Sequence, residues 1–280
     1  DSLWEDMVAQ VLEMTAQGGK TLEAKFRNES ETVAGLAAAL SRCDSSDMDD
    51  INSILNNFSF DGADDYMVIN VQDNVFLTNY DEEAIALSDA QLENISTYGD
   101  SGITEPFFSA RTGINDIGLY ERFQFADGVP AIVRKSDHVS DLEEKYTLAF
   151  YNESGFSYVI NSEGDIVIRS SHKNSNRTFN NFIDVIRLSD NSEEAVNMFA
   201  DAIASGTKGA MKLNLNDGKY VLAFVPIEGT DGWFIISTVP EEQVSAHVSD
   251  IVKSSQFFVS IIAIALLGAV MIILMFVKFS

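Results

Sequence analysis

Between residues 111 and 137 the chain gathers Arg111, Tyr120, Arg122, Arg134 and Asp137. Guanidinium groups, a phenol and a carboxylate hold charged oxygens and ammonium groups by charge-assisted hydrogen bonds. None of the five is a nucleophile set beside a base. The chemistry they suit is recognition, in a pocket for a small anionic or zwitterionic ligand. If their segments are strands, Tyr120 and Arg122 share a face, because strand side chains alternate. The competing reading is a solvated strand face on which the arginines pair with Glu121 or Glu105 at little gain.

Other chemistries fail on residue type or spacing. His138, His172 and His247 are dispersed, and neither a His-Glu-x-x-His run nor a cysteine pair occurs, so no metal site is expected. Gly19-Lys20-Thr21 looks like a phosphate loop, but Met14 stands where that loop needs its first glycine, and a helix precedes it in place of a strand. "DSSDMDD" (44–50) lacks the glycine and glutamate of a calcium loop. No Gly-x-Ser-x-Gly elbow is present. Trp233 opens an apolar strand and reads as core. No catalytic residue and no cofactor are implied.

The elements that must position these side chains follow from periodicity. Residues 1–43 contain no proline and carry apolar residues mostly three, four or seven apart, which predicts one long amphipathic helix, weakened or bent at Gly18-Gly19. The acids of 44–50 suit the positive N-terminal end of a short helix over 51–58. Strands are predicted at 66–71 and 75–78, a helix at 88–99 with Ser88 as N-cap and Gly99 as terminator, and strands at 103–110, 116–125 and 129–136. A helix over 138–151 leads to a second series: strands 156–161 and 165–170, helices near 178–188 and 192–205, and three strands "GAMKLNL", "KYVLAFVPI" and "GWFIISTV". The hairpins "MVINVQDNVFLTN" (67–79) and "YVINSEGDIVIRS" (158–170) open the two series alike. Each series is two strands, helical matter, then three strands. That makes an α+β chain with two units, each built on a five-stranded antiparallel sheet. Pro240 is expected at the first position of a helix that runs on toward the C-terminus.

This arrangement resembles the double Cache ectodomain of bacterial transmembrane receptors, whose modules are PAS-like. "GFSYVINSEGDIVIRSS" (155–171) resembles the hairpin that opens the membrane-proximal module, with Asn161 where the family usually has Asp. "GWFIISTVPEEQV" (232–244) resembles its closing strand and exit helix, and "DGVPAIVRKSDHVSDL" (127–142) resembles the closing strand of the distal module. The resemblance implies a stalk helix at 1–50, a membrane-distal PAS-like module at 51–150, a membrane-proximal one at 151–240, a connecting helix at 241–256 and a transmembrane helix at 257–277. In the family's amino-acid sensors a Tyr-x4-Arg-x-Trp-Tyr motif holds the ligand carboxylate and an Asp on the closing strand holds its ammonium. Asp137 matches that Asp. Tyr120 lies near the place of a further family Tyr. The first motif is absent, and the only tryptophans, Trp4 and Trp233, lie outside its region. Amino-acid binding by the usual arrangement is therefore not expected.

Composition agrees. A formal charge of −25 disfavours nucleic acid and anionic lipid as partners. One cysteine allows no intrachain disulfide, which fits a bacterial surface better than a eukaryotic secretory route. "FFVSIIAIALLGAVMIILMFV" (257–277) is uncharged and, at about 1.5 Å per residue, roughly one bilayer core long. Lys278 after it places the C-terminus in the cytoplasm by the positive-inside tendency. The start of the chain has neither a basic n-region nor an apolar run, so an export signal or membrane helix is expected upstream, and a cytoplasmic region downstream. The expected function is the extracellular or periplasmic sensing region of a receptor, homodimeric through stalk and membrane helices. It would pass a small-molecule signal to a diguanylate cyclase, histidine kinase or methyl-accepting output domain. The alternative is a surface-anchored binding or adhesion module without output.

Overall fold

The computed structural model describes residues 2–59, 65–81, 83–109, 111–150, 153–172, 175, 178–215 and 218–245. The expected membrane span at 257–277 lies outside them. Among the described residues no helix is long and apolar enough to cross a membrane.

Helix α1 (Ser2–Leu40) is unbroken through Gly18-Gly19. It does not reach residue 50; a short turn follows, then α2 (Met48–Phe58). The acidic run is capping material. Asp47 is the N-cap and accepts the Asp50 N–H at 3.1 Å, and Asp49 and Asp50 lie in the first turn. The glycine pair is a packing device rather than a bend. A Cβ on Gly18 would stand 2.3 Å from Leu148 Cδ1 and 3.0 Å from Ile235 Cδ1, and one on Gly19 would stand 3.2 Å from Ile235 Cγ2. Without side chains there, α1 can lie directly on Leu148, in the link between the sheets, and on Ile235 in the second sheet.

Both sheets are antiparallel. The first contains β1 (Asp65–Asn70), β2 (Val75–Thr78), β3 (Ile85–Ala86), β4 (Ser101–Ile103), β5 (Phe107–Phe108), β6 (Asn115–Gln124) and β7 (Pro130–His138), in the order β3-β2-β1-β7-β6-β4, with β5 also on β6. The second contains β8 (Ala149–Phe150), β9 (Gly155–Ile160), β10 (Ile166–Ile168), β11 (Gly209–Leu215), β12 (Gly218–Pro226) and β13 (Phe234–Pro240), in the order β10-β9-β13-β12-β11, with β8 on β9. Among the described residues the sheets therefore have seven and six strands where five each were expected. The additions are two-residue edge pieces. Of the expected strand at 103–110, among the described residues only Ile103, the end of β4, and Phe107–Phe108, β5, are strand; Pro106 between them has no N–H to donate. The expected helix at 138–151 stops at Tyr146 as α4 (Val139–Tyr146), because Thr147 turns extended, and β8 follows. Pro240 closes β13 opposite Tyr220, and the helical turn at 241–245 begins after it.

Leaving the edge pieces aside, both sheets repeat one order, second–first–fifth–fourth–third. The two matching hairpins supply the first and second strands. In the first, Asn70 Oδ1 accepts the Asp73 N–H at 3.0 Å and Asn74 takes φ 57°. In the second, Asn161 Oδ1 accepts the Glu163 and Asp165 N–H groups at 3.0 and 2.9 Å, and Gly164 takes φ 87°. Asn161 thus does the acceptor work expected of an aspartate there.

One face of each sheet packs on α1. Met7 and Val11 meet Val221 and Val239 of the second sheet and Val244 of the helical turn after it. Leu22, Phe26, Val33, Leu36 and Leu40 join a continuous core with Ile117, Leu119 and Val133 of the first sheet, Ile235 of the second and Trp233 just before β13. Trp233 is 1% exposed, a core residue as expected, although β13 starts one residue later at Phe234. Its ring meets Phe26 edge-on at 5.9 Å, and its Nε1 donates to Glu105, in the link between β4 and β5, at 3.1 Å.

The opposite faces differ. On the second sheet, α5 (Phe182–Leu188) and α6 (Glu193–Ala204) bring Phe182, Ile186, Val196, Phe199 and Ile203 down onto Tyr158, Leu222, Phe224 and Ile236. Phe182, Phe199 and Phe224 interlock edge-to-face at 5.9 and 5.3 Å, filling that face. On that face of the first sheet the only helix among the described residues is the short α3 (Asp89–Ser96), and with Tyr98 it covers one end. The other end is left hollow.

Candidate ligand-binding site

The hollow is a cavity of about 580 Å³. Its floor follows from register and strand alternation. Ser136 of β7 faces Asp65 of β1 and Gly118 of β6, and Arg134 faces Met67 and Tyr120. Met67 in turn faces Thr78 of β2. The walls are Phe76 of β2, Ile85 and Leu87, the first turns of α3, and Phe107 and Phe108 of β5. Ser88 caps α3 as expected, accepting from Gln91, although the helix ends at Ser96 rather than Gly99.

Arg134 is the central cation. A Cβ on Gly118 would stand 2.5 Å from Arg134 Cδ, so the missing side chain lets the arginine stem lie across β6. The guanidinium then rests 4.6 Å from the Phe107 ring centroid, a cation–π contact. Its other contacts are long: Nη1 to Tyr98 Oη at 3.4 Å and Nη2 to Met67 Sδ at 3.5 Å. The Nε is buried and has no hydrogen-bond partner. Among the described residues no carboxylate reaches ion-pair distance of Arg134. A guanidinium is always charged and carries five donors, so this one is poised for an acceptor from outside.

The other expected residues fall in three places. Arg111 is at the cavity mouth, ion-paired with Asp65 and stacked 4.5 Å over Tyr80. Tyr120 and Arg122 point to the cavity side, as alternation predicted, but act as supports for α3. Tyr120 stacks on Tyr98 at 4.2 Å and accepts the Gly99 N–H at 3.0 Å. Arg122 Nε donates to the Gly99 carbonyl at 2.8 Å and its Nη2 to that of Tyr98 at 3.1 Å, satisfying carbonyls past the helix end. Asp137 is on the reverse face of β7. It accepts from Lys25 of α1 at 2.6 Å and lies 3.5 Å from Lys135, and both lysines also pair with Glu29. Burial pulls the Lys25 ammonium down and the carboxylates of Asp137 and Glu29 push it up; the net is a pKa above the ordinary value. The structure thus brings Arg111 and Arg134 together at one cavity and sends Asp137 to the α1 interface.

Asp81, Met67, Phe107 and Phe108 also line the cavity and were not singled out from sequence. Asp81 sits in the turn after β2, where acids are common for local reasons. Its carboxylate accepts the Thr78 hydroxyl at 2.5 Å, the only side-chain partner it has among the described residues. Next to the cavity floor, Asp116 is 1% exposed and its Oδ1 is 2.6 Å from His138 Nδ1.

No protein-family model and no curated relative matches the chain. Solved structures do. The ligand-binding domain of the Pseudomonas aeruginosa PAO1 amino-acid chemoreceptor PctB, in complex with L-Arg, superposes with a TM-score of 0.68 at 14% identity, over 89% of this chain and 94% of that one. The ligand-binding domain of the Pseudomonas fluorescens chemoreceptor CtaA, in complex with L-isoleucine, gives 0.66 at 13% identity, over 88% and 97%. The extracellular domain of mmHK1S-Z3, assigned as a histidine kinase, gives 0.63 at 15% identity, over 86% and 97%. At these identities the likeness is one of fold, shared with these ligand-binding and extracellular domains along most of the chain.

Proposed function

We propose that the described residues form the extracellular ligand-sensing region of a bacterial transmembrane signalling receptor, built as two PAS-like modules. The first sheet's cavity takes the small-molecule ligand, with Arg134 as its anchor and Arg111 at the mouth. The second sheet transmits: its last strand leads through residues 241–256 to the apolar segment 257–277, and through that span to a cytoplasmic output domain of cyclase, kinase or methyl-accepting type. Two copies pair through stalk and span. The region itself performs no catalysis. The observation that carries this reading is the Arg134 guanidinium, without a carboxylate partner among the described residues, in a cavity on the part of the first sheet's face that α3 leaves open. The fold shared with chemoreceptor ligand-binding domains supports it.

The test is a thermal-shift screen of the full chain in detergent against amino acids, organic acids, amines and nucleobases. A ligand at about 100 times its Kd adds about 2.7 kcal/mol, a clear rise in Tm. Arg134→Gln should abolish the rise. A panel without any Arg134-dependent shift refutes the proposed site.

A further inference from the structure

Exposed apolar side chains gather at one place. Among the described residues the large ones open to water are Tyr80, Ile85, Phe108, Ile114, Leu188 and Met198. Ile85 and Phe108 line the first sheet's cavity, yet they are 44% and 69% exposed. Tyr80 lies under Arg111 at the cavity mouth. The Ile114 carbonyl accepts the N–H of Ser109, another lining residue, at 2.9 Å. Single exposed apolar residues are ordinary, but a cluster that rims a hollow marks a surface made to be covered.

This rim is continuous with the walls below it. Phe107 rests against the Arg134 guanidinium, and Phe108 follows it on β5. On the opposite side Phe76 of β2 pairs with Ile85 of β3, so the two share a face. The charges are sorted too. Arg134 has a buried Nε without a partner and no carboxylate at ion-pair distance among the described residues. Arg111, the other lining cation, is committed to Asp65. Asp81 holds its carboxylate on the Thr78 hydroxyl, so a second acid group in the cavity would meet a like charge. The site asks for one acid group, and apolar surface leads from that point to the rim.

We propose that the cavity takes an amphipathic monoanion. Its acid group meets Arg134, and its apolar body lies along Phe107 and Phe76 and covers Phe108 and Ile85. Medium-chain alkanoates and aryl alkanoates have this form, and they carry no amino group. The inference rests on the cavity being the ligand site, as proposed above, and adds the class of ligand.

The test is a homologous series titrated calorimetrically into the full chain in lipid nanodiscs, with empty discs as the blank. The probes are butyrate, hexanoate and octanoate, with octylamine, suberate and 2-aminooctanoate as controls. Affinity should rise about fourfold for each CH₂ added from butyrate to octanoate, the factor for a buried methylene. Octylamine, suberate and 2-aminooctanoate should each bind at least tenfold more weakly than octanoate. Arg134→Gln should weaken octanoate at least tenfold. Phe108→Ser combined with Ile85→Ser should flatten the series and leave butyrate unchanged; both side chains are exposed, and circular dichroism checks the fold. A flat series in the unaltered chain, a rise that the rim variant does not reduce, or 2-aminooctanoate binding more tightly than octanoate overturns the amphipathic monoanion. Each of these leaves the cavity reading intact if binding still needs Arg134. The same holds if the series is silent while another compound of the screen gives an Arg134-dependent shift. Silence of every compound overturns both.

Discussion

Glu29 offers the sharpest perturbation of the scaffold. It bridges two lysines, Lys25 at 3.0 Å and Lys135, and each of these also faces Asp137. The four side chains keep only 8 to 21% exposure. In Glu29→Gln the shape stays and one negative charge goes, so Lys25 and Lys135 both lose that carboxylate and still share Asp137. At an effective dielectric of about 20, each contact near 3 Å is worth roughly 5 kcal/mol before desolvation. Desolvation cancels much of that, and losing one partner of a fully buried pair costs about 3–5 kcal/mol. With the residual exposure, about 2–4 kcal/mol is expected. For a chain this size, with an m-value near 3 kcal/mol per molar, the urea midpoint should fall by about 1 M, read by tryptophan fluorescence. Lys135→Met should cost a similar amount. The double variant keeps the neutral Lys25–Asp137 pair and should cost less than the sum, by about 1–3 kcal/mol. The pH dependence has a definite sign. The folded pKa of Lys25 is raised, so its contribution is fully present below about 10.5 and is lost only as pH climbs through the higher folded value. The Glu29→Gln penalty should therefore be equal at pH 7 and pH 9. A penalty under about 0.5 kcal/mol would mean that the ring is a solvated surface network and that α1 is held to β7 by apolar packing alone.

Two further outcomes test the same scaffold. Gly35 and Gly18 lie in the same helix, but a Cβ on Gly35 would meet Phe58 at an ordinary 3.8 Å, whereas one on Gly18 would strike Leu148 at 2.3 Å. Gly35→Ala should gain up to about 1 kcal/mol in thermal unfolding. Gly18→Ala should lose about 1 kcal/mol or more despite the same propensity gain, and an equal gain at both sites would contradict the close approach of α1. The Cys43 thiol is pushed up to about 12 by burial, then by a hydrogen bond to Asp50 and the charges of Asp50, Asp47 and Asp44. At pH 8 its thiolate fraction is about a thousandfold below that of an ordinary thiol of pKa 9.0. Iodoacetamide should label it at least that much faster in urea than in the native chain, by intact mass; native labelling within minutes would show the site open.

Much of the architecture is legible in local patterns. Apolar spacing marks α1, the turn residues mark both hairpins, and Ser88 marks the start of α3. What local pattern does not contain is how strands pair. Placing the last strand of each series beside its first is a long-range choice, made because it buries Ile132 and Val133, or Ile235 and Ile236, at the centre of a sheet rather than at an edge. The short edge strands escaped notice because two residues carry no period. Proline at 106 and the extended Thr147 decide them through single backbone groups.

The site was half legible, and strand alternation divides the halves. Tyr120 and Arg122 do share a face, as period two requires. The same rule, counted along β7 from Arg134, puts Ser136 in the cavity and Lys135 and Asp137 on the back, so Asp137 could have been separated from Arg134 by parity alone. Its match to a family position drew attention the other way. The cavity is illegible for a different reason. It exists because α3 is short and covers one end of the sheet, whereas α5 and α6 close the equivalent face of the second sheet with Phe182 and Phe199. A hollow is a shortage of covering residues, and no motif records a shortage. Asp81 becomes visible only through that hollow. In the sequence it is one turn acid among 43 acidic residues, and it is the row Arg134–Met67–Thr78 that brings it to the same cavity as the guanidinium.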